Sequence, residues 1–353
     1  MENMQTLDSV EQIVEGVRDT PSGRGRHRRS SVSLASIKAP VTDELKIFKR
    51  YFREAMRSDV GLLDKITQYV LRLKGKQIRP IIVLLSAKAC GQISESSYRG
   101  AALGELLHTA TLVHDDVVDE AERRRGAFSI NALWKNKIAV LFGDFLLSKG
   151  LLMSLDHQNY ELLHTMSDAV RRMSEGELLQ IEKSRRLDID EETYFRIISD
   201  KTASLFASCT ASGAISAGAD KATVDRLRQF GEKVGLAFQI RDDLFDYGVR
   251  DVGKPLGIDI KERKMTLPLI FALRNADKKE RKAVLKIVRR KKKSQNDLKT
   301  VTEFVRREGG LEYASRQMYD LADEARELLY GLDDSPARQS LDDIVEYIVA
   351  RKR

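Results

Sequence analysis

Cysteine, proline and tryptophan are scarce in this chain, with two, six and one among 353 residues. Cys90 and Cys209 lie far apart and outside any metal-ligand spacing, which excludes a disulfide framework and a cysteine-rich zinc site. With so few prolines, long segments are free to be helical, and no stretch alternates apolar and polar residues convincingly with the period of a strand. No apolar run approaches the roughly 20 residues that span a bilayer. The N-terminus is polar and lacks the apolar core of a signal peptide. These absences lead to the expectation of a soluble, cytoplasmic protein.

Hydrophobic residues make up 42% of the chain, which allows a substantial core and rules out wholesale disorder. The net charge is +8, with a pI near 9.3. Much of the excess sits in "GRGRHRRSS" (residues 23–31) and "KKERKAVLKIVRRKKK" (residues 278–293). Basic runs of this kind fit nucleic acid or an acidic membrane surface, or simply a solvated tail and helix face. Neither run interleaves the aromatics that single-strand binders use, so no nucleic-acid partner is expected.

Residues 1–38 read as a disordered basic tail, small and polar, and residues 39–353 as one all-α domain. "DELKIFKRYFREAM" is amphipathic, "RPIIVLLSAKAC" nearly all apolar, and "RGAALGELLHTATLVHDDVVDEAE" a long helix running from apolar to acidic, over residues 99–122. Further helices are expected over 137–155, 158–185, 191–216, 220–247, 265–275, 279–292, 297–307, 310–331 and 335–351, with short breaks between them as in a compact bundle.

Two of these helices are alike. "GELLHTATLVHDDVVD" (104–119) and "GEKVGLAFQIRDDLFD" (231–246) align without a gap, matching Gly, Glu, a β-branched aliphatic and all three aspartates. Chance agreement of two acidic helix ends is the plainer account, but the repeated Asp-Asp-x-x-Asp argues for two equivalent helices facing a shared site. Positions i and i+4 share a helix face about 6 Å apart. Asp115 and Asp119 therefore project together, as do Asp242 and Asp246, and each pair repels itself unless a cation intervenes. Magnesium suits such oxygen-only pairs, because it binds one or two carboxylates together with substrate phosphates. Zinc does not, because His108 and His114 have no partner histidines at a ligand spacing.

Ala102, Leu103, Leu106, Leu107, Ala110 and Val113 form an apolar wall leading to the first acidic cluster, and Ala237, Phe238 and Ile240 do likewise for the second. An apolar shaft capped by carboxylates and metal suits a substrate with a diphosphate head and a hydrocarbon tail. Arg124 and Arg125 follow the first cluster, where a planar fork can grip phosphate bidentately, whereas Arg123 points elsewhere on the helix. Lys76 and Arg79 in "KGKQIRP", Lys201 and Thr202 in "SDKTAS", and Lys254 and Lys264 after the second cluster supply further phosphate-binding groups. Each of these lysines alone reads more simply as surface charge.

With these residues in place, the chain resembles the trans-isoprenyl diphosphate synthases, and among them the bacterial long-chain polyprenyl diphosphate synthases. The likeness runs in order over roughly residues 42–350, through "DDVVDEAERRRG", "SDKTAS", "FQIRDDLFD" and "GKPLGIDIKERKMTLPLIFAL". It implies an all-α barrel of antiparallel helices around a deep central cavity, usually dimeric. It implies that Asp115, Asp119 and Asp242 ligate magnesium, up to three ions, bridging to an allylic diphosphate, with Asp116, Asp243 and Asp246 in support. Arg124, Lys201, Thr202, Gln239, Lys254 and Lys264 would hold the allylic diphosphate, and Lys76, Arg79, His108 and Arg125 isopentenyl diphosphate. Two departures stand out. "KGKQ" replaces the usual Gly-Gly-Lys-Arg, changing Lys74 and Gln77, and Arg263 replaces a glycine in "ERK".

The reaction implied is metal-assisted loss of diphosphate from the allylic substrate, followed by attack of the isopentenyl double bond and loss of a proton. Small residues one turn before Asp115, Ala110 and Thr111, imply a product longer than C20, of the kind used as a quinone side-chain precursor. Leu107, Phe142 and Phe145 are alternative floors for the shaft, so a shorter C15–C20 product stays open. A class I terpene cyclase shares the acidic helices but has no use for an isopentenyl diphosphate site. A phosphohydrolase would need more histidines than the five present. A non-catalytic partner subunit would be expected to lack the aspartates. A greasy product needs an exit, and the basic segment at 279–293 is a candidate contact with a membrane surface.

Overall fold

The computed structural model describes residues 12–18, 32–73, 75–124, 126–248 and 257–351. Among them the chain is helical nearly throughout. Helices α1 (12–18), α2 (Leu34–Lys38), α3 (Thr42–Ala55), α4 (Gly61–Arg72) and α5 (Ile78–Cys90) lead to the long α6 (Glu95–Val118), α7 (Ile130–Asp156) and α8 (Tyr160–Arg186). Then come α9 (Glu191–Ile198), α10 (Ser204–Ser216), α11 (Lys221–Phe245), α12 (Ile258–Lys261) and α13 (Leu267–Asn275). Helices α14 (Lys278–Arg289), α15 (Gln295–Arg307), α16 (Gly310–Leu329) and α17 (Pro336–Ala350) complete the fold. Short polar side chains start many of them. Ser129, Asp190, Asp220, Asp277, Ser294 and Ser335 each accept a first-turn backbone N–H, satisfying donors that the helix itself leaves open.

Helix α10 is the axis of the bundle. Its residues, small except for Leu205 and Phe206, are buried without a break from Ser204 to Ala214, and α5, α6, α8 and α11 pack around it. Small residues permit this crowding. A Cβ on Gly213 would lie 2.4 Å from the Val83 carbonyl oxygen, and one on Gly231 2.3 Å from the Thr210 hydroxyl. Helix α11 is thus held against α10 on one side and against α16 on the other, and α6 packs along α7. This arrangement is the all-α barrel expected from the sequence.

Several elements differ from expectation. The first acidic helix stops at Val118 rather than running to residue 122, because the chain turns into a two-residue hairpin, Arg123–Arg124 against Ala127–Phe128, through Gly126 at φ +80°. Arg123 is therefore on a strand, with its guanidinium 4.9 Å from the centre of the Phe128 ring. The helix expected over 191–216 is interrupted by a π turn, Ser199–Ala203. Within the stretch read as a tail, α1 falls where "EQIVEG" (11–16) allows a helical turn or two, and α2 is unexpected; they bury Val14 and Ile37 against the core. Residues 1–11 and 19–31 lie outside the described residues.

No uninterrupted apolar run of about 20 residues occurs, but α7 contains an 18-residue stretch, 138–155, that is long and apolar enough by composition to cross a membrane, with Asp144 and Lys149 as its charged residues. A break at Lys135, φ 72°, separates it from the first residues of the helix. Here α7 packs on α6 and leaves Leu133, Val140, Leu141, Leu151, Leu152 and Leu155 exposed.

Candidate active site

The end of α6 carries the first acidic cluster. Asp119 caps the helix with its N–H 2.8 Å from the Asp115 carbonyl, so the two carboxylates stay one turn apart. Burial raises the Asp115 pKa and Glu177 adds to the rise, against Lys201. Asp116 points inward and is buried. Its raised pKa comes first from burial and is opposed by Arg124, whose Nε donates to it at 2.7 Å. The hairpin thus turns Arg124 back onto the helix it follows. A buried carboxylate without such a partner would be strongly unfavourable.

The end of α11 carries the second cluster, and its three aspartates have three environments. Asp242 forms an ion pair with Arg351, whose guanidinium lies 3.9 Å from the Phe238 ring centre. Asp243 is buried and accepts from the Tyr194 hydroxyl at 2.7 Å and the Gln239 amide at 2.9 Å. Burial, with Asp259 second, pushes its pKa up to about 8. Asp246 caps α11 and accepts the backbone N–H groups of Ile258 and Asp259 at 2.8 and 3.1 Å, fastening the start of α12. Burial first, then Asp259, lifts it to about 6.

Basic and polar groups lie between these ends. Lys201 pairs with Glu177 and stands 3.5 Å from Gln180. Thr202 donates to the Gln239 carbonyl oxygen at 2.8 Å, so both faces of the Gln239 amide are engaged. Lys264 lies 2.7 Å from Glu262 and 3.5 Å from Asp259. Burial opposes its charge, yet Asp259, Glu262 and Asp119 together raise its pKa. A cavity of about 90 Å³ opens between α8, α9, the π turn, α11 and α12, and Lys201, Thr202, Gln239, Asp243, Asp259 and Lys264 all line it. Its charged and polar lining suits an anionic head group.

The remaining candidates are more dispersed. Arg79 lies in the first turn of α5, its guanidinium 5.6 Å from the Phe206 ring centre, and the Lys76 ammonium is 5.4 Å from that of Tyr347. His108 and Ala110 are buried on α6, and Thr111 turns its hydroxyl back to the His108 carbonyl. Arg125 and Lys254 lie outside the described residues. Sequence reasoning missed Arg351, Tyr194, Glu177 and Asp259. Asp259 stood in a quoted segment, whereas nothing in the sequence reading marked Arg351, Tyr194 or Glu177.

Among the described residues, no three carboxylates, imidazoles or thiols converge closely enough to hold a metal ion as a protein-only cage. That donor set fits magnesium, which keeps waters and completes its shell with substrate phosphate oxygens, better than zinc. Asp115 and Asp119 present carboxylates on one turn, and Lys201, Arg124 and Lys264 act on them electrostatically. Tyr194→Phe is expected to lower the unfolding free energy by about 1–3 kcal/mol, because the buried Asp243 loses a donor. Urea denaturation of the variant beside the parent checks this.

Known proteins match this geometry. The polyprenyl synthetase family model matches residues 60–305. The all-trans-nonaprenyl-diphosphate synthase (geranyl-diphosphate specific) of Rhodobacter capsulatus is 38% identical over 308 residues, covering 86% of this chain and 94% of its own. The crystal structure of a decaprenyl diphosphate synthase from the same organism superposes with a TM-score of 0.86 at 35% identity, over 91% of this chain and all of that one. A polyprenyl synthase from Caulobacter crescentus CB15, solved with calcium and isoprenyl diphosphate, gives a TM-score of 0.84 at 31% identity, over 92% of this chain and 100% of its own. The chain belongs to the polyprenyl synthetase family and is a prenyltransferase.

Proposed function

We propose that the protein is a magnesium-dependent trans-prenyltransferase that condenses isopentenyl diphosphate with an allylic diphosphate, farnesyl or geranylgeranyl, to make a long-chain all-trans polyprenyl diphosphate. The observation that carries this reading is the cavity in which Lys201, Thr202 and Lys264 stand beside the second acidic helix end, with Lys201 and Lys264 acting on Asp115 and Asp119 of the first. Likeness to nonaprenyl and decaprenyl synthases supports the long product.

Magnesium, held by Asp115, Asp119 and Asp242, would supply charge stabilisation for the departing diphosphate. Lys201, Thr202 and Lys264 would bind its oxygens, and preorganised donors of this kind do most when water is excluded. Arg124 would hold the same group while keeping Asp116 paired. Lys76, Arg79, His108 and Arg125 would orient isopentenyl diphosphate. The buried face of α6 around Leu106, Leu107 and Ala110 would shelter the allylic cation from water.

A homodimer fits the exposed leucine-rich face of α7, which is larger and more apolar than an unpartnered surface helix needs. We place the enzyme in the cytoplasm, supplying a quinone side-chain precursor, with peripheral membrane contact through α14. Residues 278–293 hold ten of the chain's 61 Lys and Arg residues and one acid, and Lys278, Lys279, Lys282, Lys286 and Arg289 are exposed on α14. Anionic liposomes should pull down the parent but not a K278E/K282E/K286E variant. No binding by the parent would refute the contact.

Purified protein incubated with farnesyl diphosphate, labelled isopentenyl diphosphate and magnesium should give a ladder ending at one long prenyl chain. Ala110→Phe should shorten that ladder. A product stopping at C15–C20 would favour the short-chain alternative, and no incorporation with any allylic primer would overturn the reading.

A further inference from the structure

The π turn that carries Lys201 and Thr202 is held from outside the cavity by a network that no part of the reaction uses. In this turn the Ser204 N–H reaches back to the Ser199 carbonyl, five residues away, so one extra residue is accommodated. Such insertions re-aim the side chains that follow, and an uncompensated one would relax to regular helix. Here Arg172 of α8 donates from Nε to Asp200 at 2.8 Å and from Nη2 to the Ser199 hydroxyl at 2.8 Å. The same Nη2 lies 3.4 Å from Glu232 of α11, which also accepts the Ser199 hydroxyl at 2.6 Å. Gly176 permits the approach, because a Cβ there would lie 2.9 Å from both Asp200 Cβ and the Lys201 nitrogen. The three charged side chains are mostly buried, at 26%, 17% and 35% exposure.

We propose that Arg172, through Asp200, Ser199 and Glu232, is a positioning residue that fixes the π turn so that Lys201 and Thr202 meet the allylic diphosphate. The planar guanidinium suits this task, since one side chain bridges the turn and α11 at once. From the turn the hydrogen bonds continue through Thr202 and Gln239 to Asp243 and Tyr194, so the network on the outer side of the turn and the second acidic motif form one connected system. The isopentenyl groups Lys76 and Arg79, on and before α5, are not part of it. A structural ion pair alone would affect stability and both substrates alike, whereas a positioning role is selective for the allylic one.

The inference rests on the function proposed above. Calorimetric titration of the full-length protein with a non-ionising allylic thiolodiphosphate and magnesium tests both separately. Arg172→Gln should weaken that binding, and raise the allylic KM, on the order of 10-fold, with the isopentenyl diphosphate KM unchanged. Arg172→Lys, which keeps the charge but not the planar fork, should recover only part of the loss, and Glu232→Gln, which keeps the side-chain shape, should show the same selectivity. Unchanged analogue affinity in folded Arg172→Gln and Glu232→Gln, or equal rises in both KM values, would overturn the inference while leaving the function standing. Failure of the parent to bind the analogue would overturn both.

Discussion

Concentrating carboxylates at two helix ends inside an apolar bundle is the constraint on which the rest of this structure depends. An isolated buried carboxylate is so unfavourable that it takes up a proton or finds a partner. Both responses occur here. Asp116 has Arg124, Asp242 has Arg351, Asp246 has two backbone N–H groups, and Asp243, with neutral donors only, has the most elevated pKa of the set. Asp115 is half-buried between Lys201 and Arg124, and Asp119, one turn on, is exposed, so this pair is open to a cation arriving from solvent.

The same constraint explains the shape of the surroundings. The hairpin after α6 returns Arg124 to Asp116, and the start of α12 is fastened because Asp246 accepts the N–H groups of Ile258 and Asp259. The tight glycine contacts of α10 and α11 bring the second acidic end within reach of residues on α8 and α9. Packing and charge are thus one problem.

Much of this was legible in the sequence. Helical periodicity gave the all-α class, and the paired Asp-Asp-x-x-Asp motifs pointed to the two helix ends. Lys201, Thr202, Gln239, Asp243 and Lys264, named from motifs, line one cavity. What escaped was whatever depends on distant partners. Tyr194 has no local pattern, and its role exists only because α9 packs against α11. The π turn could not be seen, since its stabilisation comes from Arg172 and Glu232 on other helices. The end of α6 was misread because "DEAERRR" is compatible with helix, while Gly126 and the Arg124–Asp116 pair favour a turn. The apolar average of α7 does not show as a run, because Asp144 and Lys149 interrupt it.

On the proposed function, the acidic ends and the intervening lysines make one two-signed site, completed only when metal and diphosphate arrive together. Calorimetric titration of inorganic diphosphate with and without magnesium tests it directly. The account predicts reciprocal dependence, with weak binding of either alone and tight binding of both, because coupled ligands must raise each other's affinity equally. Diphosphate binding that is as tight without magnesium as with it would contradict the account.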